Sequence, residues 1–124
     1  MEIAAVGVSA TDLSRAVAFY ELLGFRFPPL EPDNVHIEAE GSVRLMIDDA
    51  KFLTDLHGEP PRPGNIAGFA LLFGSPSEVD EAAGRVASAG HTVVTQPYDA
   101  PWGQRYATVA DPDGFRVDLF ALLT

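Results

Sequence analysis

Cysteine is absent from this chain of 124 residues, which excludes disulfides, zinc–thiolate centres, iron–sulfur clusters and cysteine nucleophiles. Basic residues are scarce: Lys plus Arg total 8 against 18 Asp plus Glu, leaving a net charge of -10. Such a field repels nucleic acid and anionic membrane and favours neutral or cationic partners. Long apolar runs are missing as well, the longest being Phe69-Ala-Leu-Leu-Phe73, so no membrane partner is expected. The opening Met1-Glu2-Ile3 shows neither a basic region nor an apolar core, so no signal peptide is expected and a cytoplasmic protein is. Phosphate-binding glycine loops, GxSxG elbows and HExxH helices are also missing. What remains is ordinary globular material, 47% hydrophobic and 21% charged, long enough for one domain with a real core.

Two segments carry helical periodicity. Leu13, Ala16, Val17, Tyr20 and Leu23 form one apolar stripe. Thr11 or Asp12 is placed to cap its start, and Gly24 to take the left-handed position at its end. Val79, Ala82, Ala83, Val86 and Ala89 repeat the stripe, opened by Pro76-Ser77, with Asp80 three residues past a Ser77 cap, and closed by Gly90. Short strands are expected over residues 3–9, 25–27, 34–40, 43–48, 66–73, 92–96, 105–110 and 115–122. The segment 34–40 alternates, with Val35, Ile37 and Ala39 against His36, Glu38 and Glu40. Asp111-Pro-Asp-Gly114 reads as a tight turn, and Glu59-Pro-Pro-Arg-Pro-Gly64 as a connector.

The order of elements is therefore strand, helix, three strands, and then the same again. Gly24 and Gly90, Leu13 and Val79, Ala16 and Ala82, and Asp12 and Glu78 each stand 66 residues apart. An internal duplication explains all four matches. The expected class is α+β, with two tandem βαβββ modules in a single domain spanning 1–124. Module one covers about 1–50, a linker about 51–64, and module two about 65–124.

Two stretches carry a family resemblance. One is Thr11-Asp-Leu-Ser-Arg-Ala-Val-Ala-Phe-Tyr-Glu-Leu-Leu-Gly-Phe25. The other is Trp102-Gly-Gln-Arg-Tyr-Ala-Thr-Val-Ala-Asp-Pro-Asp-Gly-Phe-Arg-Val-Asp-Leu-Phe120. Together with the repeat, they resemble the vicinal oxygen chelate superfamily of glyoxalase I, extradiol dioxygenases and bleomycin-resistance proteins. The second stretch is most similar to mitomycin-resistance-type drug-binding members. The resemblance implies curved mixed sheets around a cavity, within a homodimer. It also implies four inward metal-ligand positions in the catalytic members, and these fall on Ala5, Met46, Leu71 and Asp118. Alanine and leucine cannot ligate, a thioether is a poor partner for hard or borderline cations, and one carboxylate is no site. No metal, no cofactor and no catalytic residue is expected.

Other residues carry a structural and a functional reading side by side. His57 is expected in a polar loop and His91 at a strand start, both on the surface. His36 shares a face with Glu38, and that face is either solvated or, in the resembled fold, ligand-lining. Arg116, Asp118 and Phe120 share one face of the last strand, and Arg44 on a neighbouring strand is the expected partner of the Asp118 carboxylate. That pair is either a structural salt bridge or an acceptor for a ligand amine or hydroxyl. Arg105 is expected to anchor the Asp111 turn. Trp102 is the only tryptophan, set beside Pro101 and Gly103 with Tyr98 and Tyr106 nearby. A flat ring in such a loop makes a platform for planar ligands, and in the resembled drug-binding members this region stacks on the drug. The candidate ligand-binding set is thus Trp102, His36, Arg44, Met46, Tyr98, Tyr106, Asp118 and Phe120. The expected function is non-catalytic sequestration of a small planar or aromatic compound, such as an antibiotic, by a homodimer. The alternatives are a metal-dependent glyoxalase-like lyase or dioxygenase, and a scaffold without ligand.

Overall fold

The computed structural model describes residues 3–62 and 68–124, which fall into two compact units, Met1–Gly64 and Asn65–Thr124. The expected segment start at Ile66 lies outside the described residues. Among the described residues no helix is long and apolar enough to cross a membrane.

The first unit runs β1 (Ala5–Ala10), α1 (Leu13–Leu22), β2 (His36–Glu38), β3 (Arg44–Asp49) and α2 (Ala50–His57). Its sheet has the order β1-β3-β2, with β1 parallel and β2 antiparallel to β3. Asp12 caps α1 by accepting from Arg15 N at 3.1 Å, and Gly24 takes φ +106° just beyond its end, where a side chain would be strained. Leu13, Ala16, Val17, Phe19 and Tyr20 are buried as the helix packs on β3, whose Leu45 and Ile47 are buried in turn. Ile37 and Ala39 are buried and His36 and Glu38 are not, as the alternation requires.

Two expectations for this unit are corrected. Residues 25–27 form no strand; Phe25 N bonds back to Tyr20 O of the helix end at 3.2 Å, and Arg26 O accepts from Glu40 N at 2.9 Å, before Pro28-Pro29 ends any ladder. Residues 51–57, within the expected linker, are helical and with Ala50 form α2. Asp49 caps it by accepting from Phe52 N at 3.1 Å, and Gly58 at φ +82° closes it with a bond to Thr54 O. His57 is therefore the last helical residue and not part of a loop.

The second unit runs β4 (Phe69–Leu72), α3 (Pro76–Ser88), β5 (Thr92–Ala100), β6 (Gln104–Ala110) and β7 (Arg116–Leu122), with sheet order β4-β7-β6-β5. Strands β4 and β7 are parallel and the other pairs antiparallel. Replacing β4, β7 and β6 by β1, β3 and β2 reproduces the first unit's order, with the fourth strand missing at 25–27. Val79, Ala82, Ala83 and Val86 of α3 are buried, as are Ala107, Val109, Val117, Leu119 and Ala121 on one face of the sheet.

The cap of α3 is Ser75, not Ser77. Pro76 occupies the first helical position, which moves the capping box two residues upstream onto Ser75 and Glu78. Strand β5 extends to Ala100 through register shifts on either side of Thr95, which an edge strand containing Pro97 tolerates. Asp111 holds its own turn, accepting from Asp113 N and Phe115 N at 2.9 Å each. Arg105 plays no part there: it donates to Asp80 at 2.9 Å and Asp99 at 3.2 Å.

Candidate ligand-binding faces

Each sheet has one face packed on its helix and one open face, and the candidate residues fall on the open faces. In the first unit, pairing aligns Ser9, Asp48 and His36 in one row and Gly7, Met46 and Glu38 in the next. Small residues on β1 leave room for side chains from β3. A Cβ built on Gly7 would meet the Met46 methyl at 3.7 Å, so Met46 lies over that glycine.

His36 is held at both ring nitrogens, Nδ1 at 2.7 Å from Asp48 Oδ1 and Nε2 at 2.8 Å from Glu38 Oε2. Arg44 Nη1 stands 3.2 Å from the other Glu38 oxygen. Hydrogen bonding to Glu38, and then to Asp48, raises the His36 pKa above its ordinary value. The same His36 bond, helped by Arg44, lowers that of Glu38. The arrangement is a relay of one imidazole, one guanidinium and two carboxylates on one face. Asp48 was missed in the sequence, although its place as the register mate of His36 is what brings it there.

In the second unit, Tyr98, Tyr106 and Phe120 align in one row across β5, β6 and β7, and Thr108, Asp118 and Ala70 align in the next. Trp102 sits at the tip of the β5–β6 hairpin, in a loop closed by Gly103 at φ +87° with a bond from Gly103 N to Ala100 O at 3.0 Å. Its indole N–H donates to Gln104 Oε1 at 3.0 Å, and its ring meets Tyr106 at 5.4 Å and Tyr98 at 6.3 Å, both edge to face. Tyr98 and Tyr106 meet the same way at 6.2 Å. The tryptophan nonetheless stays 57% exposed. It is a surface ring held by two tyrosines and an amide.

Asp118 accepts from Thr108 Oγ1 at 2.8 Å. Burial, with a further contribution from bonding to Asp118, raises the Tyr106 phenol above its ordinary value. The expected Arg44–Asp118 pair does not form: Arg44 pairs with Glu38 and Asp118 bonds Thr108, each inside its own unit. Thr108 and Gln104 are thus the supporting residues that the sequence reading missed.

The residues at the metal-ligand positions do not fit a metal. Leu71 is the register mate of fully buried Leu119, so it faces the helix side; the open-face neighbour of Asp118 is Ala70, which has no donor atom either. Among the described residues no group of three or more His, Asp and Glu side chains is arranged to hold a metal ion. His36 shows why: its two carboxylates lie on opposite ring nitrogens, so they cannot converge on one ion. A cavity of about 280 Å³ beside α2 is lined by Leu53, His57 and residues 59–62, and none of the candidate residues reaches it.

A helix-backed mixed sheet in which the strand before the helix pairs parallel with a later strand that is itself antiparallel to its other neighbour, built twice in one chain, defines a duplicated α+β fold with the candidate residues on the open sheet faces. The chain belongs to the Glyoxalase/Bleomycin resistance protein/Dioxygenase superfamily, whose family model matches residues 2–119. A glyoxalase/bleomycin resistance protein/dioxygenase from Nocardioides is 28% identical, with 99% of this chain and 84% of that one covered at a TM-score of 0.74. TioX from Micromonospora sp. ML1 is 26% identical, with 99% and 100% covered at a TM-score of 0.67. The fold is shared with lactoylglutathione lyase from Agrobacterium tumefaciens, 24% identical over 97% and 92% of the two chains at a TM-score of 0.69. Among curated proteins none matches the chain.

Proposed function

We propose that this protein binds and sequesters a small planar or aromatic compound without transforming it, and that it does so as a cytoplasmic homodimer conferring antibiotic resistance. The observation that carries the reading is Trp102, more than half exposed yet locked by Tyr98, Tyr106 and Gln104. A rigid aromatic surface stacks on a planar ligand with little loss of side-chain entropy. Apolar burial drives such binding, and His36, Arg44, Met46, Asp118 and Phe120 supply the polar and shape contacts that fix orientation. The Trp102-Gly-Gln-Arg-Tyr106 run, similar to that of mitomycin-resistance-type members, supports the same reading. So does the donor chemistry at the positions where catalytic relatives hold metal: Ala5 and Leu71 have no donor, Met46 offers only a thioether, and the Asp118 carboxylate stands alone. Protection would then scale with protein concentration over dissociation constant.

The test is a titration of the purified protein with planar antibiotics, read on the emission of its single tryptophan, beside a native mass spectrum. Saturable quenching at one ligand per subunit of a dimer is the expected result. Stoichiometric bound metal, or turnover of a 2-oxoaldehyde–thiol adduct or a catechol, overturns the proposal in favour of the lyase or dioxygenase.

A further inference from the structure

We infer that the second unit's open face selects a cation, a planar aromatic compound carrying a protonated amine, with its ring over the Tyr98–Tyr106–Phe120 row and its ammonium on Asp118. The inference rests on the aromatic-binding reading above and specifies its ligand.

The register supplies the geometry. Tyr106 and Phe120 form one cross-strand pair and Thr108 and Asp118 the next on the same face. Two residues at about 3.3 Å each put the carboxylate row about 7 Å from the aromatic row along the strands. A flat ring on the first row therefore reaches Asp118 with an amine on a linker of two or three carbons.

The chemistry of Asp118 supplies the charge. Its hydrogen bond comes from a neutral hydroxyl, Thr108 Oγ1 at 2.8 Å. An ionised carboxylate has about four acceptor sites, so bonding capacity is left over. Its neighbour on the β4 side is Ala70, which offers neither a donor nor bulk. Among the described residues no Lys or Arg forms an ion pair with it: Arg105 is engaged by Asp80 and Asp99, and Arg116, two positions along the same face, is exposed and makes no ion pair with Asp118. A half-buried carboxylate beside apolar rings is poorly compensated without a cation. The tyrosine and tryptophan faces also attract an ammonium through their quadrupoles. The net charge of -10 raises the local concentration of cationic ligands in the same sense.

The experiment compares naphthylethylamine with its uncharged N-acetyl derivative, titrated calorimetrically into the wild-type protein and into Asp118→Asn. The amine is expected to bind at least tenfold tighter than the amide, and Asp118→Asn to bring the two together while still binding the amide. Equal affinity of amine and amide for the wild type overturns the inference and leaves aromatic binding intact. If neither compound binds and Trp102 emission is unmoved by both, the inference and the reading beneath it fall together. The wild-type comparison needs no variant, so it decides the matter even where Asp118→Asn fails to fold.

Discussion

His36 Nδ1 lies 2.7 Å from Asp48 Oδ1, its direct mate across the β2–β3 pair, while its other nitrogen is taken by Glu38 two residues along the same strand. Only the imidazolium donates at both nitrogens, so the folded state favours the charged ring. The raised His36 pKa means that its stabilising contribution is complete below the ordinary value of 6.5 and is lost as pH rises through the folded value. Glu38 is shifted the other way, so its contribution is present above 4.5 and lost as pH falls through its lowered value.

Both contributions are present together only between those two limits. The melting temperature of His36→Gln should therefore fall furthest below wild type between pH 4.5 and 6.5. The gap should shrink above neutrality. A gap that widens as pH rises would contradict the double pairing, as would an imidazole titrating below its ordinary value by NMR.

The capping box of α3 gives a stability prediction. Ser75 Oγ lies 3.4 Å from Glu78 N, and Glu78 Oε2 accepts from Ser75 N at 3.0 Å. Ser75→Ala removes one of these bonds and should cost about 1 kcal/mol in urea unfolding. Ser77→Ala should cost a few tenths at most, because Ser77 is not the cap. Equal losses at the two sites would mean that the helix begins elsewhere.

Local chemistry explains what was legible in the sequence. The α1 stripe and the Asp111 turn are each specified by residues within a few positions and form as expected, whereas the alternation expected over 34–40 holds for Ile37 and Ala39 in a strand of only three residues and leaves Val35 exposed. The α2 helix was hidden because it is only eight residues long and stands next to the proline-rich connector, so its short Phe52, Leu53 and Leu56 stripe and its Asp49 and Gly58 caps were taken with the linker. The missing strand at 25–27 looked apolar enough, but Pro28-Pro29 outweighs its aromatics. The site divides the same way. Which residues face outward followed from alternation, whereas their partners depend on register between distant strands. Asp48 for His36, Thr108 for Asp118 and Asp80 for Arg105 lie 12, 10 and 25 residues away, and no local pattern announces them.

Two glycines should respond to alanine with opposite signs. A Cβ on Gly68 would come within 2.9 Å of the Arg116 carbonyl oxygen, a backbone atom that cannot swing aside. Gly68→Ala should destabilise by about 1–3 kcal/mol as β4 is pushed off β7. Gly84 lies inside α3 with nothing within 4 Å of the added methyl. Gly84→Ala should therefore stabilise by about 0.5–1 kcal/mol through helix propensity. Chemical denaturation of both variants settles the signs.

Trp102 and Leu119 separate packing from binding. Leu119 is fully buried beneath α3, and Leu119→Ala should cost about 2–5 kcal/mol of stability. Trp102 is 57% exposed, and its ring contacts are edge-on to two tyrosines that also hold each other. Trp102→Ala should therefore cost only about 1 kcal/mol of stability. Its larger effect should fall on ligand affinity, where loss of a stacking platform costs about 1–3 kcal/mol, a scale taken from base stacking on aromatics. Calorimetric titration of planar drugs into both variants reads the affinity, and thermal melts read the stability. If Trp102→Ala melts like Leu119→Ala and binds every planar drug as wild type does, the hairpin tip is a packing element. The open face would then lose its aromatic anchor, and sequestration would have to rest on His36 and Arg44 instead.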